Sequence, residues 1–86
     1  MKNGLIIDKI GDKRWYKDDL LHREDGPAIE LTIGFKGWIL NNKYHRVDGP
    51  AVEFSNGIHS WYLNGVYIKC KTNEEFLRIV KMKVFL

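Results

Sequence analysis

Residues 38–53 read Trp-Ile-Leu-Asn-Asn-Lys-Tyr-His-Arg-Val-Asp-Gly-Pro-Ala-Val-Glu, and this stretch decides the fold because it recurs along the chain. Its second half, residues 45–53, is identical to residues 22–30 at seven of nine positions. Two further sets of residues keep the same interval of 23, namely Trp15, Trp38 and Trp61, and Gly11, Gly34 and Gly57. A fixed period of this length is typical of a repeat architecture, in which one supersecondary unit stacks on its neighbours.

Each unit has the pattern of a three-stranded antiparallel meander. Residues 28–33 alternate between apolar and polar side chains, as a half-buried strand does, and Gly34 interrupts them. Residues 35–40 predict a second strand. Asn41-Asn42 then predicts a two-residue hairpin turn, because asparagine tolerates the positive φ that such turns require. Residues 43–45 predict the short return strand. The fold class is therefore mainly β, an antiparallel meander sheet of about 2.5 units.

Both ends of the chain depart from the period, as terminal units of a repeat do. Residues 4–11 align with residues 27–34, so the N-terminus is a half unit without a His-Arg segment. At the other end, Thr72 followed by Glu75 is a capping-box pattern. Residues 73–84 then predict an amphipathic helix that covers the apolar face of the sheet. We expect one domain, 1–86, with β repeats over 4–71.

The expected strand pairing distributes the aromatic residues between two faces. Two-residue turns place Trp38 opposite both Ile29 and His45, which predicts a core on the tryptophan side of the sheet. The opposite face then carries the tyrosines and Ile39. With the basic residues near the C-terminus, this face is the candidate interaction surface: Tyr16, Ile39, Tyr62, Tyr67, Lys69, Lys71, Arg78 and Lys81.

The His-Arg-x-Asp-Gly-Pro segment is the one motif that invites a catalytic interpretation. Histidine and aspartate three residues apart suit an acid–base pair or two metal ligands. The structural interpretation is favoured because the segment recurs in consecutive units, whereas catalysis usually needs its groups once. In this interpretation a histidine ring N–H donates to the backbone, aspartate accepts from loop N–H groups, and glycine supplies an unusual backbone geometry. Arg23 and Arg46 bridge to Glu30 and Glu53. The structural positions are Trp15, Trp38, Trp61, His22, His45, Asp25, Asp48, Gly26, Gly49, Pro27 and Pro50.

Composition excludes several classes of protein. The chain has 86 residues, of which 44% are hydrophobic, so it is long enough for one small ordered domain. Its net charge of +3 is spread among 11 acidic residues, which is weak for a dedicated nucleic-acid binder. Cys70 is the single cysteine, and we interpret it as a small buried hydrophobe. The sequence has no signal-peptide pattern and no apolar run of membrane-spanning length, so we expect a cytoplasmic protein with no membrane contact, metal or cofactor.

The string Trp-Tyr-x-Asn-Gly-x-x-His-Arg-x-Asp-Gly-Pro-Ala resembles the MORN-like repeats of short phage and giant-virus proteins. It can be followed through residues 15–28, 38–51 and 61–65, with Asp18-Asp19 and Asn41-Asn42 in place of Asn-Gly and Ile39 in place of tyrosine. The ending from Glu74 to Phe85-Leu86 is similar to the tails of such phage proteins. The resemblance implies a β-hairpin repeat and a non-enzymatic interaction role, and it supplies no catalytic residue.

Three hypotheses about function follow. The first is a small phage accessory protein that binds a host protein through a sheet face or edge, with inhibition of that protein as one form of the action. The sheet edges also offer self-association. The second is binding of nucleic acid or a nucleotide by the exposed tyrosines and the cations Lys69, Lys71, Arg78, Lys81 and Lys83. The third is an enzyme that uses His22 and Asp25, or His45 and Asp48. The first is preferred.

Overall fold

The computed structural model describes the backbone of residues 1–84. Phe85 and Leu86, which belong to the resemblance at the C-terminus, lie outside the described residues, and so does the Lys83 side chain. Within residues 1–84 the chain forms ten short strands and one helix. The strands are β1 (Gly4–Ile7), β2 (Lys13–Lys17), β3 (Leu20–Leu21), β4 (Ile29–Glu30), β5 (Lys36–Gly37), β6 (Ile39–Leu40), β7 (Lys43–Tyr44), β8 (Val52–Glu53), β9 (His59–Leu63) and β10 (Val66–Ile68); the helix is α1 (Asn73–Val84).

The strands form an antiparallel meander, which confirms the predicted fold class. The main sheet has the order β1-β2-β4-β5-β8-β9-β10, with β3 paired to β2. Strands β6 and β7 form a separate hairpin. The expected strand over residues 35–40 is thus two short segments, β5 and β6, with Trp38 between them. Trp38 still belongs to the ladder, because its N–H donates to Ala51 O at 2.7 Å and its carbonyl accepts from His45 N at 2.9 Å.

The three hairpin tips have the predicted turn chemistry. Each pair of central residues has positive φ: 50° and 67° at Asp18-Asp19, 49° and 65° at Asn41-Asn42, and 48° and 82° at Asn64-Gly65. Aspartate, asparagine and glycine are the residues that adopt this left-handed region at least cost. These turns fix the tryptophan–histidine pairing that the sequence predicts.

The turns at the other ends of the strands, such as residues 32–34, are one residue longer than the sequence predicts. The strand register therefore differs from the prediction by one residue. Leu31 N–H donates to Phe35 O at 2.9 Å, so three residues, not two, lie between the paired positions. Gly34 takes the positive φ of 98° at the end of this turn. Ile29 consequently pairs with Gly37, and Trp38 lies level with Ala28. A shift of one residue moves a side chain to the other face, so Ile29 is on the tyrosine side of the sheet.

The core is therefore divided between the two faces. Ile39 is 4% exposed, and it lies with Val52 on the tyrosine side, so its predicted exposure as part of the interaction surface is wrong. On the other face Trp61 is buried, whereas Trp15 and Trp38 are only half-buried. The fully or largely buried apolar residues of the described chain are Ala28, Ile39, Ala51, Val52, Trp61 and Phe76.

Helix α1 begins and docks as its sequence predicts. Thr72 Oγ1 accepts a hydrogen bond from Glu75 N–H at 3.2 Å, while Glu75 Oε2 accepts from Lys71 N–H at 2.9 Å. The Phe76 ring is fully buried, and its centroid lies 6.4 Å from that of Trp61. Trp61 Nε1–H also donates to Asn73 Oδ1 at 3.0 Å. The helix thus covers the tryptophan face at the last tryptophan of the sheet.

Candidate functional site

The arginine of each His-Arg segment lies flat between a tryptophan ring and a glycine. The guanidinium carbon of Arg23 is 3.9 Å from the centroid of Trp15, and that of Arg46 is 3.9 Å from Trp38. A Cβ added to Gly49 would stand 2.9 Å from Arg46 Cζ. Gly49 has no positive φ, so glycine is required here because it has no side chain, and not for the unusual backbone predicted. Gly26 stands in the same relation to Arg23, at 2.8 Å.

Hydrogen bonds hold each guanidinium in this position. Arg46 Nε donates to Asp48 Oδ1 at 2.9 Å, and Nη1 donates to Pro50 O at 3.1 Å and to Glu53 Oε2 at 3.0 Å. Arg23 bonds Asp25 and Pro27 O at the same distances, and its Nη1 lies 3.7 Å from Glu30 Oε2. The predicted bridges to Glu30 and Glu53 are therefore present. The aspartates differ from expectation, since they accept from arginine.

The Arg23 guanidinium has an electrostatic effect on its partner. Its hydrogen bond to Asp25, and then its charge, hold the pKa of that carboxyl below the ordinary 3.8. A carboxylate that accepts from a cation is stabilised in its charged form, so Asp25 stays ionised and engaged. This is unsuited to a general acid or base, which needs a pKa near the working pH.

The two histidines connect each unit to the hairpin tip of the next. His22 Nδ1 accepts from Asn41 N–H at 3.0 Å, and His45 Nδ1 accepts from Asn64 N–H at 2.9 Å. The ring nitrogen is thus an acceptor, which reverses the predicted direction of the bond and places the ring proton on Nε2. Neighbouring backbone groups repeat the link, with Arg23 N–H donating to Ile39 O and Arg46 N–H to Tyr62 O. We call residues 21–23 and 44–46 the connectors.

The N-terminus supplies the same contacts by different residues. Asn3 Oδ1 accepts from Asp18 N–H at 2.8 Å, and Lys2 O accepts from Asp19 N–H at 2.9 Å. Asn3 therefore stands in for a connector histidine. The repeat pattern does not predict this role, because the N-terminal half unit is four residues shorter at this point. Asn3 therefore does not lie 23 residues before His22.

At the C-terminal end the connector contacts stop. Ile68 occupies the position 23 residues after His45, and isoleucine has no ring nitrogen to accept from a further hairpin. Lys69 stands where the arginines do, and the Phe76 ring packs on Trp61. The segment that suggested chemistry is thus absent where no further hairpin follows within the described chain.

An open groove of about 670 Å³ lies between the loops formed by the two His-Arg-x-Asp-Gly-Pro segments, residues 22–27 and 45–50. Trp38 and Leu40 line it together with charged residues of both loops, among them Asp25 and Asp48. His22 Nε2 is buried without a hydrogen-bond partner in the described residues, and it lies 3.9 Å from Glu24 Oε1. The arginines and aspartates of both loops hold each other, so little of this charge is available to a ligand.

The opposite face carries a row of three tyrosine rings in contact, which we call the tyrosine row: Tyr44, Tyr62 and Tyr67. The Tyr44 and Tyr62 centroids lie 5.3 Å apart, and Tyr67 meets Tyr62 edge-on at 5.6 Å. Burial raises the pKa of Tyr44, and the neighbouring Tyr62 raises it further. Tyr44 and Tyr62 are half-buried, whereas Tyr67 is 57% exposed. Tyr16 lies away from the row, half-buried beneath the Lys2 ammonium at 4.9 Å.

The predicted basic residues are divided between two elements. Lys69 and Lys71 follow β10, two and four residues after Tyr67, and both are exposed. Arg78 and Lys81 lie on α1, where Arg78 Nη2 forms an ion pair with Glu74 at 2.9 Å. Cys70 lies between the two lysines. Burial raises the pKa of its thiol, and the Glu75 charge adds to this, so the nucleophilic thiolate is disfavoured.

Sequence reasoning identified Tyr62 and Tyr67 but missed Tyr44 as a member of the row. The signal was present, because the hairpin turn places Tyr44 opposite Ile39 on the tyrosine side. Within residues 1–84 no group of histidine, cysteine or acidic side chains is arranged to hold a metal ion. In the same part of the chain, no helix has the length and apolarity that crossing a membrane requires.

Comparison of the chain with protein-family models, with curated proteins and with solved structures finds no match in any of the three.

Proposed function

We propose that this protein is a non-enzymatic interaction module that binds another protein at the exposed end of the tyrosine row. The observation that supports this is the state of Tyr67, whose ring is more than half exposed and yet held edge-on by Tyr62. A tyrosine that is already ordered loses little side-chain entropy on binding, which is why such rings anchor protein interfaces.

The surroundings of Tyr67 suit a protein partner. Tyr62, its partner across the β9–β10 hairpin, is half-buried on the same face and adds aromatic area. Lys69 and Lys71 continue the same chain segment and give the rim of the surface a positive charge. An apolar and aromatic centre with a charged rim is the usual anatomy of a protein interface. The partner surface is therefore an apolar pocket bordered by acidic side chains.

The catalytic alternative has less support. The histidines accept backbone N–H bonds, the arginines are stacked on tryptophan, and the aspartates are paired with the arginines. The resemblance to MORN-like repeats of phage proteins extends the proposal to its setting. On this resemblance we propose that the chain is a phage accessory protein and that it acts on a host protein in the cytoplasm.

The test uses the tagged protein as bait in bacterial lysate, with bound proteins quantified by mass spectrometry. Replacing Tyr67 by Ala removes the anchor and reduces recovery of a specific partner by roughly 30-fold, corresponding to the 2 kcal/mol typical of a central interface aromatic. Tyr67→Phe keeps the ring and most of the binding. Ile10→Ala, at a distant exposed turn, is the matched control. Equal recovery by the Tyr67→Ala variant and by the original protein contradicts the proposal.

Nucleic-acid binding is the second candidate, favoured by the alternate positions of Tyr67, Lys69 and Lys71 along one segment at the end of the sheet. The ion pair of Arg78 with Glu74 counts against it, because it neutralises one of the required cations. A labelled single-stranded oligonucleotide distinguishes the two. Binding that is strong at low salt and falls steeply as salt rises supports this candidate. Absence of binding at low salt removes it.

A further inference from the structure

Strand β1 (Gly4–Ile7) forms one edge of the main sheet, and its chemistry is unusual for an edge. Within residues 1–84 it pairs only with β2, so its other side faces outward. Leu5, Ile6 and Ile7 are 44%, 42% and 54% exposed, and none of them carries a charge. Natural sheets commonly protect their edges with lysine, proline or a bulge, because an uncharged edge pairs readily with another strand.

The hydrogen bonds of β2 show which backbone groups of β1 are available. Trp15 N–H donates to Ala28 O, and Trp15 O accepts from His22 N–H, so Trp15 faces away from β1. In an antiparallel ladder the residues on either side of Trp15 then bond to β1, at Gly4 and Ile6. Leu5 and Ile7 therefore direct their N–H and C=O groups outward.

We propose that β1 pairs with β1 of a second copy of this chain, joining the two sheets in a symmetric dimer. Antiparallel pairing centred on Ile6 brings Leu5 opposite Ile7 of the second copy and uses the outward groups of both residues. This forms about four backbone hydrogen bonds across a two-fold axis. Leu5 and Ile7 of both copies then share the tryptophan side of the sheet, while the two Ile6 side chains meet on the tyrosine side.

The charges nearby are compatible with this contact. Lys13 and Arg14 are the cations opposite Ile7 and Ile6 on β2. Their counterparts in the second copy are three strand spacings away, about 14 Å, which exceeds the Debye length of about 8 Å at physiological salt. Arg14 is also paired with Asp8 at 3.4 Å. No like charges are opposed within the strand, so the edge is complementary to itself and needs no other partner.

Mass as a function of concentration tests the dimer. Four residues a side make a small interface, so we expect a change from the monomer mass of 10.1 kDa to twice that value as concentration rises through roughly 10–100 μM. Sedimentation equilibrium of the purified full chain measures it. A monomer mass at every concentration up to about 1 mM overturns the proposal, since dissociation constants weaker than this are not specific association.

Charge variants at Leu5 test the register. In the proposed pairing the two Leu5 side chains are diagonal neighbours, about 7–8 Å apart. Leu5→Glu and Leu5→Lys each place like charges across the axis and weaken the dimer by at least about tenfold, whereas mixing the two variants restores it. Circular dichroism verifies that each variant is folded. If the mixture stays monomeric, the proposed register is wrong.

A matched change on the other edge strand separates this dimer from head-to-tail assembly. Val66 on β10 is more than half exposed, as Ile7 is. Val66→Glu leaves a β1–β1 dimer intact, but it disrupts any chain of molecules that pairs β1 of one copy with β10 of the next. Loss of association in Val66→Glu overturns the symmetric pairing. Val66 is next to Tyr67 in the sequence, so partner binding and dimer formation are both assayed with two further variants. Leu5→Glu is expected to weaken the dimer alone, and Tyr67→Ala is expected to weaken partner binding alone.

Discussion

At the scale of single residues, the chain uses side-chain nitrogen and oxygen atoms to replace missing backbone acceptors. The tip of each hairpin turns its N–H groups toward the preceding unit, where His22, His45 or, at the N-terminus, Asn3 accepts one of them. Histidine Nδ1 and asparagine Oδ1 occupy similar positions relative to their backbones. Asn3 therefore shows that asparagine can accept this hydrogen bond in place of a connector histidine.

Replacing His45 tests this equivalence. His45→Ala leaves Asn64 N–H without its acceptor and removes a half-buried ring, which lowers the free energy of unfolding by about 1–3 kcal/mol. His45→Asn supplies an oxygen and recovers part of that loss. Urea denaturation followed by tryptophan fluorescence measures both. His59→Ala is the control, because that ring is exposed and has only an edge-on contact with Trp61, so its loss changes stability less. Equal losses for alanine and asparagine at position 45 would show that ring packing, and not the acceptor, matters.

The ion pair of Asp25 with Arg23 makes the free energy of unfolding depend on pH in the acid range. Its pKa is below 3.8 in the folded protein, so it contributes stability that is fully present above the unfolded value. That contribution is lost as the pH falls from about 5 through the folded pKa. Asp25→Asn is less stable than the original protein at pH 7, and the two converge as the pH falls toward 2. Thermal melting across this range measures the effect, and a constant difference between the two proteins would contradict it.

At the scale of elements, each prediction succeeded where a local rule decided the structure. Asn41-Asn42 and Asn64-Gly65 predict their turns because the required positive φ is a property of those residues themselves. The capping box at Thr72 is equally local. By contrast, Gly34 is compatible with either a two-residue or a three-residue turn. Because of this ambiguity of one residue, the predicted register placed Ile29 on the wrong face and the core on one side of the sheet. A shift of one residue exchanges the two faces of a strand.

The candidate site was predictable to a similar extent. The bridge from Arg46 to Glu53 follows from the motif, since both residues flank one loop. The stacking of Arg46 on Trp38 does not, because the two are eight residues apart and meet only when the connector folds back. The role of Gly49 was misassigned for the same reason, as its partner is a side chain that reaches it through space.

Helix α1 stabilises the sheet through one aromatic contact, which the Phe76→Ala variant tests. Phe76 is fully buried against Trp61, so its truncation costs about 3–5 kcal/mol and loosens the helix. We expect lower helical circular dichroism and a red shift of Trp61 emission as the indole becomes hydrated. Leu77→Ala, on the more exposed side of the same turn, is the matched control. If both variants lose the same stability, the helix is not anchored by Phe76.

At the scale of the whole molecule, burial is unevenly distributed along the extended sheet. The Cα atoms span 41 × 30 × 17 Å, and the buried apolar residues of the described chain all lie at or beyond Ala28. The N-terminal hairpin has Trp15 half-buried under Arg23 and an exposed β1, whereas the other end has Trp61 under the helix. Each unit contacts mainly its neighbours, an arrangement in which stability is close to a sum of local terms.

This asymmetry predicts that the molecule opens from its N-terminal end. In native-state hydrogen exchange of the monomer, below the concentration at which β1 pairs with a second copy, backbone amides of β1 and β2 exchange through local opening with a free energy lower by about 1–3 kcal/mol than those of β9, which reports global unfolding. Variants that retain only Trp15 or only Trp61, with phenylalanine at the other two positions, provide a second measurement. The Trp15 signal then changes at a lower urea concentration than the Trp61 signal. Coincident transitions and uniform exchange would instead show a single cooperative unit, in which the connectors couple the hairpins more strongly than burial separates them.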